Sequence, residues 1–194
     1  MSGKKLRISF NSPVIIGFSL ICLIALVLNF ITRGATNNLL FSVYRSSLVN
    51  PLTYIRFIGH VFGHAGWQHF IGNIMMILVV GSLLEDKYGS ANLIFVMLAT
   101  ALVTGVVNFV FFPNVQLLGA SGVVFALILL SSFGGFKDGE IPLTFLLVLV
   151  IYIGGQIYDG IFVTDNISNL THILGGLVGS GLGFVMNRGK MNRY

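Results

Sequence analysis

Six long apolar stretches, separated by short polar breaks, set the pattern of this 194-residue chain. Each stretch has 16 to 21 residues. As a helix rising about 1.5 Å per residue, such a stretch is roughly 24–32 Å long and matches a hydrocarbon core about 30 Å thick. We therefore predict an all-α membrane protein with six spans, at residues 13–31, 68–84, 92–112, 121–136, 141–158 and 168–186.

The segment between the first two spans, residues 32–67, fits neither a span nor a free loop. Polar residues and arginines interrupt it too often for it to cross the bilayer, but its apolar and aromatic residues are too frequent for a solvated loop. The apolar clusters at residues 39–41 and 55–58 favour short helices. We expect this first loop to be partly helical and to lie at the membrane interface.

The composition agrees with a protein that resides in a bilayer. Hydrophobic residues make up 55% of the chain and charged residues 9%, against about 25% charged residues in soluble domains. In a soluble protein the net charge of +5 would indicate nucleic-acid binding. Here cationic flanks beside anionic lipid explain it, so we expect the lipid bilayer as a partner and no nucleic acid. The single cysteine, Cys22, excludes a disulfide framework.

The cations also predict the orientation. Six spans place both termini on one side, and with cytoplasmic termini eight Lys and Arg residues lie inside and three outside. The positive-inside rule then favours cytoplasmic termini, in the plasma membrane. No small-residue cleavage site follows the first span, which we interpret as retained. The predicted organisation is a basic tail at 1–12, a six-span domain at 13–187 and a second basic tail at 188–194.

Strongly polar residues inside the spans are few, and such residues are usually functional. Ser121 and His172 each lie 16 residues before the first cation beyond their span, which is about 24 Å along a helix. His69 and Asn73 lie 18 and 14 residues before Lys87, and their i, i+4 spacing puts them on one helical face. Four polar groups from three helices are thus predicted to meet at one depth.

Such a cluster suits nucleophilic catalysis. A hydroxyl becomes a nucleophile when a neighbouring base removes its proton, and imidazole is the natural base near neutral pH. Ser121 and His172 would form that pair. The backbone N–H of Ser121, the ring of His69 and the amide of Asn73 would stabilise an oxyanion. Because no acid within a span is placed to orient His172, we expect a dyad and not a triad.

The fourth span is short, at 16 residues or about 24 Å. If its inner end reaches the membrane boundary, Ser121 lies inside the membrane. The preceding loop, residues 113–120, must then dip inward, which non-helical backbone does only where it lines a watery cavity. Hydrolysis needs that water.

Small residues predict how two of the spans pack. After His172 the sixth span carries glycines at a strict four-residue spacing, namely Gly175, Gly179 and Gly183. Such a stripe lets a second helix approach closely, and Gly122 and Ala126 give the fourth span a matching face. We therefore predict that the sixth span packs against the fourth.

Together these motifs resemble the rhomboid family of intramembrane serine proteases, and the resemblance covers nearly the whole chain. The matching motifs are Gly-Ala-Ser-Gly at 119–122, the H-x-x-x-N pattern at 69–73, and the span-six histidine followed by two glycines. His64 also fits a position that is often histidine in the bacterial members.

The resemblance implies a six-helix rhomboid bundle with Ser121 as the nucleophile and His172 as the general base. It implies that the Ser121 N–H, His69 and Asn73 stabilise the oxyanion. It further implies cleavage of single-span or multi-span membrane-protein substrates, at small residues near a helix-destabilising stretch.

Three positions depart from the family pattern. Ile55 stands where many members have Trp, and Thr171 where many have Ala before the sixth-span histidine. Phe125 stands where a Tyr often stacks on that histidine, and it keeps the ring while losing only the hydroxyl. Gly119 and Phe125 are also our candidates for contact with the substrate.

Other classes of protein remain as alternatives. A catalytically silent rhomboid-like protein, which binds or escorts membrane proteins, would be expected to lose the serine or the histidine, and this chain keeps both. A channel or transporter is disfavoured because internal repeats are missing. His60 and His64 share the i, i+4 spacing of a metalloprotease but lack its H-E-x-x-H glutamate. We expect no cofactor and no metal, and the pattern predicts no oligomeric state.

Overall fold

The computed structural model of the chain describes residues 11–133, 140–162 and 166–191. Within these ranges the chain is helical: α1 (Pro13–Ile31), α2 (Pro51–Gly59), α3 (Trp67–Tyr88), α4 (Ser90–Phe111), α5 (Ser121–Ser132), α6 (Leu143–Phe162) and α7 (Asn166–Met191). By length and composition α1, α3 and α4 can each cross a membrane, and α5 is a shorter apolar helix. The chain is thus an all-helical, multi-pass membrane protein, and the count of six spans stays a prediction.

The start of α1 is fastened to the junction between α3 and α4. Pro13 occupies the first helical position, where a fixed φ and a missing N–H cost nothing. The next two N–H groups, of Val14 and Ile15, each donate to one carboxylate oxygen of Glu85 at 3.0 Å. The Ser90 hydroxyl donates to the same carboxylate at 2.7 Å. Glu85 is a buried side chain that caps a helix 70 residues earlier in the sequence.

Three helices extend at least four residues beyond their predicted ends, and one of them is α6, which ends at Phe162 and not at residue 158. We predicted that the second span ends at residue 84, before the charged residues, and this was wrong because α3 continues to Tyr88. The side chain of Glu85 turns inward and caps α1, so this charged residue does not end α3. The helix ends at Gly89, which has φ +82°. The last helix is also longer than predicted, since α7 reaches Met191 and includes part of the predicted tail. The predicted end of the fourth span falls in 134–139, outside the described residues.

The first loop is partly helical, as predicted. A short helical turn at Asn37–Phe41 precedes α2. The guanidinium of Arg56 is buried, lies 4.5 Å from the centre of the Tyr44 ring and donates to the Tyr44 hydroxyl at 3.0 Å and to the Ser46 hydroxyl at 2.8 Å. Ile55, where many family members have Trp, is instead 51% exposed. The arginine therefore holds the loop from inside, while the neighbouring position faces outward.

The helix α5 occupies the centre of the described bundle. Eight of its twelve residues are buried, on all of its sides, which is typical of a helix enclosed by others. Its apolar side chains join one core with buried residues of α1, α3 and α4. The residue that begins this central helix is Ser121.

Candidate active site

Ser121 is the first residue of α5, as predicted. The first N–H groups of a helix have no acceptor within that helix, so the N–H groups of Ser121 and Gly122 are not used by the helical backbone. They also carry the positive end of the helix dipole. A half-buried hydroxyl beside these donors is the combination that acyl transfer requires.

The loop before Ser121 passes directly against the His69 ring. Gly119 has φ +125°, in the left-handed region that favours glycine. A Cβ at this position would lie 2.7 Å from both Cε1 and Nε2 of His69. Two independent features therefore require glycine at position 119: the backbone conformation and the space that the His69 ring occupies.

Backbone hydrogen bonds tie the same loop to the first loop. The N–H of Gly119 donates to the carbonyl of His60 at 2.9 Å. Leu117 and Val43 exchange two backbone hydrogen bonds, each of 2.9 Å, as an isolated antiparallel pair. The side-chain amide of Asn108, a polar residue within α4, donates to the Val43 carbonyl at 3.2 Å. The loop that leads to Ser121 is thus held from two sides.

The predicted packing of the sixth span on the fourth is confirmed by close contact between α7 and α5. A Cβ built on Gly175 would lie 2.8 Å from the carbonyl carbon of Gly122, and closer still to its oxygen. A Cβ built on Gly179 would lie 2.6 Å from the Cα of Ala126. No side chain fits at these positions, so the two backbones touch. Because His172 is three residues before Gly175, it lies about one turn from this contact.

The ring of His172 stacks on Phe125. The two ring centroids are 4.3 Å apart and the planes differ by only 4°. Phe125 is four residues after Ser121, so the two side chains share one face of α5. The structure therefore brings the His172 ring to the face of α5 that carries the serine, although Phe replaces the Tyr common in the family.

His69 and Asn73 are neighbours on α3 with different surroundings. The ring of His69 lies at the Gly119 loop, as described above. The buried side-chain amide of Asn73 donates to the carbonyl of His69, on its own helix, at 3.1 Å. This uses one of its two amide hydrogens. The ring of His69 is the group that lies against Gly119, in the loop before Ser121.

His60 and His64 support the site, a role that the sequence analysis did not assign to them. Nδ1 of His64 lies 3.1 Å from the Phe62 carbonyl, and its buried ring meets the His69 ring edge to face at 5.1 Å. Nε2 of His60 lies 3.2 Å from the Thr104 hydroxyl. Burial lowers the pKa of each from 6.5 to about 4, and for His64 the neighbouring His69 contributes to this shift. Both rings are therefore neutral at neutral pH.

A metal site does not emerge from these histidines. Across the described ranges, no group of three or more His, Cys, Asp or Glu side chains is arranged to hold a metal ion. The i, i+4 spacing of His60 and His64 and the match of His64 to a histidine position of the bacterial members are the signals in the sequence. They indicate a buried, structural pair.

Comparisons with known proteins agree with this arrangement. A family model described as "Rhomboid domain" matches residues 51–189. Rhomboid-related protein 2 of Mus musculus is 32% identical over 160 residues, which covers 72% of this chain and 53% of that protein. Rhomboid protease GluP of Bacillus subtilis is 27% identical over 157 residues, covering 77% of this chain and 30% of that protein. Rhomboid protease GlpG of Haemophilus influenzae is 26% identical over 144 residues, covering 71% of this chain and 72% of that protein.

The chain thus spans about half of the mouse relative and less than a third of GluP. The two bacterial relatives are named as proteases, whereas the name of the mouse protein states only its kinship. The family model covers well over half of this chain and includes α2, α3, α5 and the greater part of α7. The chain belongs to the rhomboid family of intramembrane proteases.

Proposed function

We propose that this protein is a serine endopeptidase that cleaves transmembrane helices of other membrane proteins by a dyad of Ser121 and His172. The observation that carries the proposal is the parallel stack of His172 on Phe125. A stacked ring has a fixed plane, and this one adjoins the face of α5 that bears Ser121. A base with a fixed orientation beside a hydroxyl is what nucleophilic catalysis needs.

In the proposed mechanism, His172 removes the hydroxyl proton as Ser121 Oγ attacks the scissile carbonyl carbon. The protonated His172 then donates that proton to the leaving amine, and the peptide bond breaks to leave an acyl-enzyme. A water molecule then attacks the acyl carbon while His172 accepts a proton from it. The protonated His172 returns this proton to Ser121 Oγ as the ester bond breaks, which releases the carboxylic acid product and restores the dyad. No carboxylate takes part, so the stack on Phe125 does the orienting that an Asp performs in a triad.

The oxyanion of each tetrahedral intermediate is stabilised by the N–H of Ser121 and by the ring of His69. The start of α5 supports the first donor, because helix N-termini favour negative charge. The contact of His69 with the Gly119 loop supports the second. Asn73 is the third proposed donor, through the amide hydrogen that does not bond the His69 carbonyl.

The proposal also covers the route for water, the substrates and the membrane topology. An open depression of about 540 Å³, lined by residues 65–69, adjoins His69 and offers a route for water. The proposed substrates are single-span or multi-span membrane proteins, whose extended backbone contacts Gly119 and Phe125. The proposed topology has six spans with cytoplasmic termini in the plasma membrane, supported by the excess of cations at the predicted inner side.

The proposal is tested by comparing wild type with Ser121→Ala and His172→Ala in vesicles that contain a model single-span substrate. We expect cleavage to disappear in both variants. Their unfolding temperature and their binding of the substrate should stay as in wild type. Equal cleavage by wild type and Ser121→Ala would refute the serine mechanism. If wild type binds the substrate but never cleaves any tested membrane protein, the chain is instead a silent binder of membrane helices.

A further inference from the structure

An apolar cavity lies between α1 and α4, outside the candidate active site. Its volume is about 250 Å³, and every residue that lines it has an apolar side chain or is glycine. A Cβ built on Gly17 would meet nothing within 4 Å, so the missing side chain at this position leaves room within the cavity. The other walls come from α1, α4 and the first loop, among them Ile21, Ile58, Phe62, Ile94 and Leu98.

The cavity lies within one leaflet of the bilayer and is somewhat shorter than that leaflet. The bonds of Glu85 to the start of α1 bring the beginnings of α1 and α4 to the same end of the bundle. From Pro13 to Ile21 the α1 wall extends about 12 Å along the helix, somewhat less than half of a core about 30 Å thick. The cavity therefore begins at the polar ends of the two helices and ends near the middle of their apolar length.

The surroundings favour a hydrocarbon chain as the occupant. Both flanking helices are apolar enough to span a membrane, and the rim residues Ile21, Ile94 and Leu98 are exposed, so that the cavity opens toward lipid. The chain segment before α1 carries Lys4, Lys5 and Arg7, and charges are costly in an apolar site within the bilayer. A water molecule would find no polar side chain there to bond.

We propose that this cavity binds one acyl chain of a phospholipid from the leaflet at the start of α1. The site is independent of the proposed catalytic mechanism. It adjoins the active site through the first loop, because Phe62 lines the cavity while its carbonyl is the partner of His64. Val61, another wall residue, follows His60, to which the Ser121 loop is bonded. The bound chain supports the turn that holds both histidines.

The test uses vesicles that contain a phospholipid with a photoactivatable diazirine in one acyl chain. The protein carries Ser121→Ala, so that no proteolysis intervenes and the result does not depend on the proposed function. After illumination, labelled residues are identified by mass spectrometry. We expect labelling of Ile21 and Leu98, at the cavity, to exceed that of Phe95 and Leu102, which are exposed on the same α4 but do not line the cavity.

Two further variants sharpen the result. Gly17→Leu fills the cavity and is expected to lower labelling of its walls about tenfold. Gly181→Leu adds the same side chain on α7, at another glycine whose Cβ would meet nothing, and should leave that labelling unchanged. Equal labelling of cavity and outward residues in the otherwise unaltered chain overturns the proposal, even if Gly17→Leu does not fold. Unchanged labelling in folded Gly17→Leu also overturns the proposal. So does a dimeric preparation in which the cavity walls are not labelled, since that result would assign the cavity to a second copy of the chain.

Discussion

The contact between α7 and α5 leads to a sharp prediction for Gly175→Ala. The added Cβ would lie 2.8 Å from the Gly122 carbonyl carbon, whereas non-bonded carbon atoms are comfortable at about 3.5–4.0 Å. The two backbones must therefore separate by about 1 Å. Since His172 is on α7 and Ser121 on α5, the proposed base and nucleophile separate too. A misplacement of about 1 Å costs roughly 100-fold in rate, and overpacking costs about 1–3 kcal/mol in stability.

The assay is cleavage of a model single-span substrate in vesicles, together with thermal unfolding of the same preparation. The matched control is Gly181→Ala on the same helix, where a Cβ meets nothing within 4 Å. Replacing a helical glycine by alanine without a clash should stabilise the fold by about 0.5–1 kcal/mol and leave cleavage unchanged. If Gly175→Ala cleaves as fast as Gly181→Ala and unfolds at the same temperature, backbone contact does not set the geometry of the dyad.

Three other predictions follow from single contacts. Phe125→Leu removes a ring stack worth about 0.5–1.5 kcal/mol and should lower kcat roughly 2- to 13-fold. The kcat of Phe125→Tyr should stay near that of wild type. A change confined to KM would contradict an orienting role for Phe125. Glu85→Ala leaves the start of α1 without its cap and should lower the free energy of unfolding in detergent by about 2–4 kcal/mol. Asp86→Ala, at the exposed neighbouring residue, should lower it little. Equal stability of the two variants would refute the capping role of Glu85. His60 and His64 stay neutral in the folded protein down to about pH 4, but in the unfolded chain they bind protons below about pH 6.5. The unfolded state therefore takes up more protons in this window, and the unfolding temperature should fall as pH decreases from 6.5 to 4; a flat profile would contradict neutral burial.

Apolar length and small-residue spacing predicted much of the fold. Ser121 at a helix start and the approach of Gly175 to Gly122 both follow from periodicity along one or two helices. The role of Glu85 does not follow from periodicity. Charged residues ordinarily end a span, and the N–H groups that donate to Glu85 lie 70 residues away in the sequence. A partner so distant leaves no periodic signal in the sequence.

The candidate site was likewise predictable in part. Spacing to the cations predicts a common depth for His69 and His172, which stays a prediction. The structure adds neighbours that counting cannot supply, the Gly119 loop and the Phe125 ring. Asn73 shares a helical face with His69 as predicted, but its amide donates to the His69 carbonyl, four residues earlier on the same helix. Sequence spacing predicts the helical face on which a polar side chain lies, but it does not predict the hydrogen-bond partner of that side chain.

The contact of Gly175 with Gly122 also bears on the biogenesis of the protein. Of the described helices, the one that carries His172 is synthesised after all the others, including the one that begins at Ser121. Under the proposed mechanism the serine has no base until that helix enters the bilayer and its glycines close on α5. On that mechanism, a nascent chain still held at the insertion machinery is inert toward neighbouring membrane proteins. The order of synthesis would then provide the latency that other proteases obtain from a propeptide.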